Sequence, residues 1–174
     1  RYSIYVDDSF AFGISESGLL KAGLRLEQEL TAEELADYKK DAAADKLYNQ
    51  VLALLMRRPR SEWELKTYLK RKQIPEEEID PLLGELRQKG YVDDEDFARR
   101  WVENRRLLKT ISQRKLQLEL KQKRVSDDII RSVMAEDETR DIDVLREEVQ
   151  KKRKQTRYQD NDKLMQYLAR QGYR

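Results

Sequence analysis

Ten basic side chains crowd into residues 99–124: Arg99, Arg100, Arg105, Arg106, Lys109, Arg114, Lys115, Lys121, Lys123 and Arg124. Only Glu103 and Glu119 oppose them there, leaving a local excess of eight positive charges. Guanidinium and ammonium groups at this density can hold phosphates or an acidic protein surface, because both offer oxygens to charge-assisted donors. Two shorter runs could do the same work: Arg57, Arg58 and Arg60, and then Lys151, Lys152, Arg153 and Lys154. The competing reading of each run is a solvated helix face with no ligand.

Other chemistries are poorly supplied. The chain has no cysteine and no histidine, so disulfides, thiolate sites and the commonest general base are all missing. Catalysis would have to run on carboxylates, lysine, tyrosine and hydroxyls, and no enzyme activity and no cofactor are expected. The acidic cluster Asp93–Asp96 reads as favourable charge at a helix N-terminus rather than as a metal site. Trp63 and Trp101 could stack on bases, yet their helical spacing points to core packing. Tyr68, Tyr91, Tyr158 and Tyr167 lean the same way.

The elements that must position these groups are mostly helices. Charged residues make up 40% of the 174, against roughly 25% in an average domain. Six glycines and three prolines are too few for a turn-rich β fold, and long amphipathic helices expose enough surface to carry the charge. Thr31-x-x-Glu34 and Ser61-x-x-Glu64 fit the capping box, Pro75 suits a first turn, and Gly90 and Gly172 stand where left-handed caps are expected. Helices are expected at 32–58 (with a break near 41–45), 61–72, 75–89, 94–109, 112–123, 126–136, 138–155 and 160–171. On 94–109, Arg99, Arg106 and Lys109 would share a face with Arg105 at its margin.

Before the helices, Tyr2, Ile4, Val6, Phe10, Phe12 and Ile14 alternate as in a hairpin. A three-residue Asp7-Asp8-Ser9 loop would pair Val6 with Phe10, Ile4 with Phe12 and Tyr2 with Ile14. A short helix closed by Gly23 and a third strand at 26–30 would follow.

The helices repeat. Leu65-x-x-x-Leu69-x-x-x-x-Ile74 returns as Leu116-x-x-x-Leu120-x-x-x-x-Val125 and as Leu164-x-x-x-Leu168-x-x-x-x-Tyr173. The offsets of 51 and then 48 residues mark tandem units, each burying a face on its neighbour. The organisation expected is a cap over 1–40 and repeats over 41–92, 93–136 and 137–174. The third repeat lacks its last helix, and the chain opens on Arg1, so a piece trimmed at one or both ends is expected.

Two strings then carry a family resemblance. Arg57-Arg58-Pro59-Arg60-Ser61-Glu62-Trp63-Glu64-Leu65 resembles the signature that opens the first repeat of RecX proteins. Leu86-x-x-x-Gly90-Tyr91-Val92-Asp93-Asp94-Glu95-x-Phe97-Ala98-Arg99 is similar to that family's junction between repeats, and Leu168-x-x-x-Gly172-Tyr173 to its ending. Arg124 departs from the pattern, standing where the family usually has glycine. The resemblance implies tandem three-helix repeats in an elongated, curved body that lies along the groove of the RecA–DNA filament. It implies restraint of ATP hydrolysis, strand exchange and co-protease action. The expected partners are the RecA filament and single-stranded DNA, with double-stranded DNA left open and no membrane. A monomer in the cytoplasm is expected. The rival is a helix-turn-helix transcription regulator over residues 61–92, which would need a β-wing where residues 93–108 read as helix.

Overall fold

The computed structural model describes residues 1–173. The chain runs β1 (Tyr2–Val6), β2 (Ser9–Ile14), α1 (Glu16–Ala22), α2 (Ala32–Arg57), α3 (Glu62–Arg71), α4 (Glu76–Gln88), α5 (Asp94–Leu108), α6 (Gln113–Gln122), α7 (Asp127–Glu136), α8 (Asp141–Arg153) and α9 (Asn161–Arg170), with a 3-10 turn at Thr156–Tyr158. The fold is mainly helical with one small antiparallel hairpin. In chain order α2–α4 and α5–α7 are three-helix repeats, and α8–α9 open a third. The segment after α4 is the helix α5, not the strands of a wing.

The backbone sorts into two compact units. One comprises Arg1–Pro59 with Ile74–Glu85, the other Arg60–Gln73 with the chain from Leu86 onward. In the first unit the hairpin lies on α2 and buries Phe12 and Ile14 against Ala42. Two strands alone are marginal in water, so this contact holds the hairpin, at about 1.5–3 kcal/mol for each large side chain buried. α2 starts with a complete capping box, Thr31 and Glu34 each accepting from the other's backbone N–H.

Four expectations change. The hairpin turn has two residues, Asp7 and Asp8, both at positive φ (47° and 60°), the conformation that matches strand twist. Tyr2 pairs with Ile14 and Ile4 with Phe12, but Tyr5, not Val6, pairs with Phe10. An irregularity between Ile4 and Tyr5 absorbs the shift, so Phe12 and Ile14 still face inward while Tyr5 and Phe10 stack edge-on outside at 6.0 Å. No third strand forms at 26–30, where Leu26 is fully exposed. α2 runs unbroken through 41–45, since three consecutive alanines there are the best helix formers. α8 is shorter than expected. Its approach is turned out of helix by the Asp137 carboxylate, which accepts from the Thr139 N–H at 3.1 Å.

The core of the second unit gathers Phe97, Ala98 and Val102 of α5, Leu116 and Leu120 of α6, and Ile130, Val133 and Met134 of α7, with Ile111 and Val125 from the connections. Trp101 packs at its edge, 5.7 Å from the Phe97 ring. The middle helices α3, α6 and α9 each have ten residues. Each leaves through a left-handed residue: Gln73 at φ 60°, Arg124 at 58° and Gly172 at 91°. The departure at Arg124 therefore keeps the cap that glycine would form.

Candidate binding interface

The second unit contains two joints between successive repeats, and they consume much of the charge. At the first joint, Ser61 caps α3, accepting from the Glu64 N–H at 3.3 Å. Its hydroxyl donates to the Lys123 carbonyl at the end of α6, at 3.0 Å. The Lys123 ammonium bonds Glu64 at 2.6 Å and lies 5.2 Å from the Trp101 ring. Arg105 covers the same ring at 4.5 Å, and Glu119 accepts both the Trp101 indole N–H (3.0 Å) and Arg105 (2.7 Å). Asp94, first residue of α5, accepts from the Glu62 N–H at 2.8 Å. Burial raises the Asp94 carboxyl above its ordinary value, against the pull of that hydrogen bond.

At the second joint, Ser112 caps α6 and donates its N–H to the Gln171 carbonyl at 3.1 Å. Lys115 bonds the Arg170 carbonyl at 2.6 Å, and Asp141, first residue of α8, accepts from the Gln113 N–H at 2.9 Å. Arg106 is only 12% exposed and bonds Asp137 at 2.6 Å and the Ile111 carbonyl at 2.7 Å. Burial works to raise Asp137, but hydrogen bonds from Arg106 and Thr139 outweigh it and hold the carboxyl low. Glu148 is likewise held low despite desolvation, by the hydroxyls of Thr110 and Tyr167 and by Lys152. The same contact, after burial, pushes Tyr167 up.

The sequence candidates thus divide. Arg99 pairs with Glu95 (2.9 Å) and Glu136 (3.0 Å), while Arg105, Arg106, Lys115 and Lys123 hold the joints. Lys121 pairs with Asp127 at the surface, at 2.9 Å. Lys152 sits over Tyr167 at 4.6 Å beside Glu148, and Arg153 donates to the Tyr158 and Gln159 carbonyls. Arg58 donates to the Pro59 carbonyl, and the Arg60 Nε is buried with no hydrogen-bond partner among the described residues. Exposed and without an ion-pair partner among those residues stand Arg57, Lys109, Arg114, Arg124, Lys151 and Lys154. The broad Arg99–Arg106–Lys109 face is therefore mostly internal bonding.

Asp93 and Asp94 act as helix caps, Asp93 taking the N–H groups of Glu95 and Asp96. Trp63 corrects the expectation of burial: it is 42% exposed, and Tyr91 is exposed as well. The repeat register carried the signal, because Trp63 aligns with Arg114 and Asp162, two residues before the buried leucines Leu65, Leu116 and Leu164. Exposed Leu107, Leu108 and Leu118 were not singled out by sequence reasoning.

Tandem three-helix repeats whose facing polar groups are spent on the joints, with cations left over outside, define an α-helical repeat protein. Comparison with known proteins names the family. The model for "RecX, first three-helix domain" matches residues 48–86, and that for "RecX, second three-helix domain" matches 93–134. Regulatory protein RecX of Lactobacillus johnsonii is 32% identical over 136 residues, which cover 78% of this chain and 50% of that one. Regulatory protein RecX of Caldanaerobacter subterraneus subsp. tengcongensis is 27% identical over 175 residues, covering 99% and 87%. The crystal structure of a regulatory protein RecX superposes with a TM-score of 0.75 at 24% identity, over 99% of this chain and 89% of that one. The chain belongs to the RecX family. It spans about half the length of several curated relatives it matches, the Lactobacillus johnsonii protein among them. Among the described residues, no helix is long and apolar enough to cross a membrane.

Proposed function

We propose that this chain is a non-enzymatic regulator that binds the RecA–single-stranded DNA filament and restrains ATP hydrolysis, strand exchange and co-protease action. Membership of the RecX family supports RecA as the regulated partner. The observation that supports a nucleic-acid contact is the set of cations left after internal pairing: Lys109, Arg114 and Arg124 on the second repeat, with Lys151 and Lys154 on the third. Arg114 lies in the first turn of α6, where the helix dipole also favours a phosphate. Such contacts are non-specific in sequence and sensitive to salt.

The test is a titration of the chain into RecA-catalysed, single-strand-dependent ATP hydrolysis. Inhibition is the expected result, and none at saturation would sink the reading. Reversing Lys109, Arg114 and Arg124 together to Glu should weaken inhibition and flatten its salt dependence. These three are better probes than Arg106 or Lys123, whose removal would disturb the joints themselves.

A further inference from the structure

A groove of 520 Å³ opens in the second repeat, between α5, α7 and the link into α8. Val102 and Val133 form its buried floor, and Leu107 its wall. Leu107 is 85% exposed, and its neighbour Leu108 is exposed beside it. Half of its lining residues come from the stretch richest in basic residues, yet its field is acidic. Four carboxylates line it against two guanidinium groups. Both guanidinium groups are already engaged, Arg99 with Glu136 and Arg106 with Asp137. Glu103 and Glu138 remain exposed and without an ion-pair partner among the described residues. A concave apolar wall flanked by two free carboxylates repels phosphate and suits an aliphatic side chain flanked by cations.

We infer that this groove is a docking site for a protein segment carrying lysine or arginine around an aliphatic anchor, and that the segment belongs to the recombinase. The inference rests on the proposed filament-binding function and divides its labour. Free cations of the second and third repeats meet nucleic acid, and the acidic groove meets protein. Glu103 and Glu138 pair with the segment's cations, while Leu107 and the valine floor receive its apolar side chain.

The experiment uses the full chain with Glu103→Lys and Glu138→Lys combined, and Leu107→Asp as a second, independent variant at an exposed position. Two quantities are read: anisotropy of a fluorescein-labelled single-stranded oligonucleotide without recombinase, and the half-inhibitory concentration in the RecA ATPase assay. The expected result is a tenfold or larger rise in half-inhibitory concentration for the double variant. Leu107→Asp should give a rise of several-fold, and oligonucleotide binding should be undiminished in both. Half-inhibition unchanged within twofold in both variants overturns the inference, as does a parallel loss of DNA binding. Should the double variant lose its helical circular dichroism, Leu107→Asp decides alone. A dimer of the unsubstituted chain that either variant dissolves in sedimentation would assign the groove to a second copy and also overturn it. Failure of the functional proposal shows differently, as absence of inhibition by the unsubstituted chain.

Discussion

The two joints of the second unit solve one backbone problem with opposite side chains. In both, a fully buried serine caps the middle helix of one repeat and faces the C-terminal turn of the next repeat's middle helix (Ser61 against Lys123, Ser112 against Gln171). An aspartate opening the following repeat takes the first amide in both (Asp94 and Asp141). The polarity then inverts. Glu64 reaches across to Lys123 at the first joint, whereas at the second Lys115, in the register position of Glu64, reaches to the Arg170 carbonyl. The left-handed residue is Arg124 at the first and Gly172 at the second. What repeats is hydrogen-bond geometry, and charge is free to vary around it.

The largest expected effect separates the joints through Arg106. The second has a buried ion pair at its base, Arg106 with Asp137, the carboxylate 5% exposed. Arg106→Ala leaves that carboxylate buried and unpaired, and should cost about 3–5 kcal/mol in urea unfolding. Acid should act on the same joint. Asp137 and Glu148 have folded values below their ordinary ones, so each contributes stability present above the unfolded value, about 4, and lost as pH falls through the folded value. Asp94 at the first joint is shifted the other way, so its contribution is fully present below its unfolded value and is lost as pH rises through the folded one. Hydrogen exchange followed from pH 6 to pH 3 should therefore lose protection in α8 and α9 before α3. Equal loss in both would break the distinction.

Gly172→Ala comes next. The position lies at φ 91°, and a Cβ there would stand 2.2 Å from the Ser112 Oγ and 2.9 Å from the Lys115 Cβ. Left-handed strain and overpacking together should cost about 2–4 kcal/mol. The serines discriminate more finely. Ser61→Ala removes a cap and also the donor to the Lys123 carbonyl, at about 1–2 kcal/mol. Ser112→Ala removes only a cap, because its link to Gln171 is backbone, and about 1 kcal/mol is expected. Equal midpoint shifts for the two would show that the Ser61–Lys123 bond contributes nothing.

How much of this was legible follows from sequence distance. Caps are local, so Thr31, Ser61, Asp93 and the left-handed glycines were readable from spacing, and every main helix was found within a few residues. The joints pair groups far apart in the chain, Ser61 with Lys123 across 62 residues and Arg106 with Asp137 across 31. No periodicity announces those pairings, so free and consumed cations looked alike. The hairpin turn was missed for a different reason. Alternation of apolar residues records which side chains face inward, but a backbone irregularity can shift the register and preserve the same face.

The smallest effect has the opposite sign and bears on why the two joints differ at all. Arg124 occupies a left-handed position, φ 58°, that costs a side-chain-bearing residue about 1 kcal/mol. Arg124→Gly should recover that, offset in part by the greater freedom of glycine in the unfolded chain, for a net gain of about 0.5 kcal/mol in urea unfolding. No bonded partner among the described residues explains an arginine there, whereas an exposed cation at that position belongs to the proposed DNA-binding set. A residue kept against local stability is expected where function uses it. Arg124→Gly should therefore raise the unfolding midpoint while weakening single-strand binding. A gain in stability with undiminished binding would remove Arg124 from that face and leave its strained backbone without a purpose.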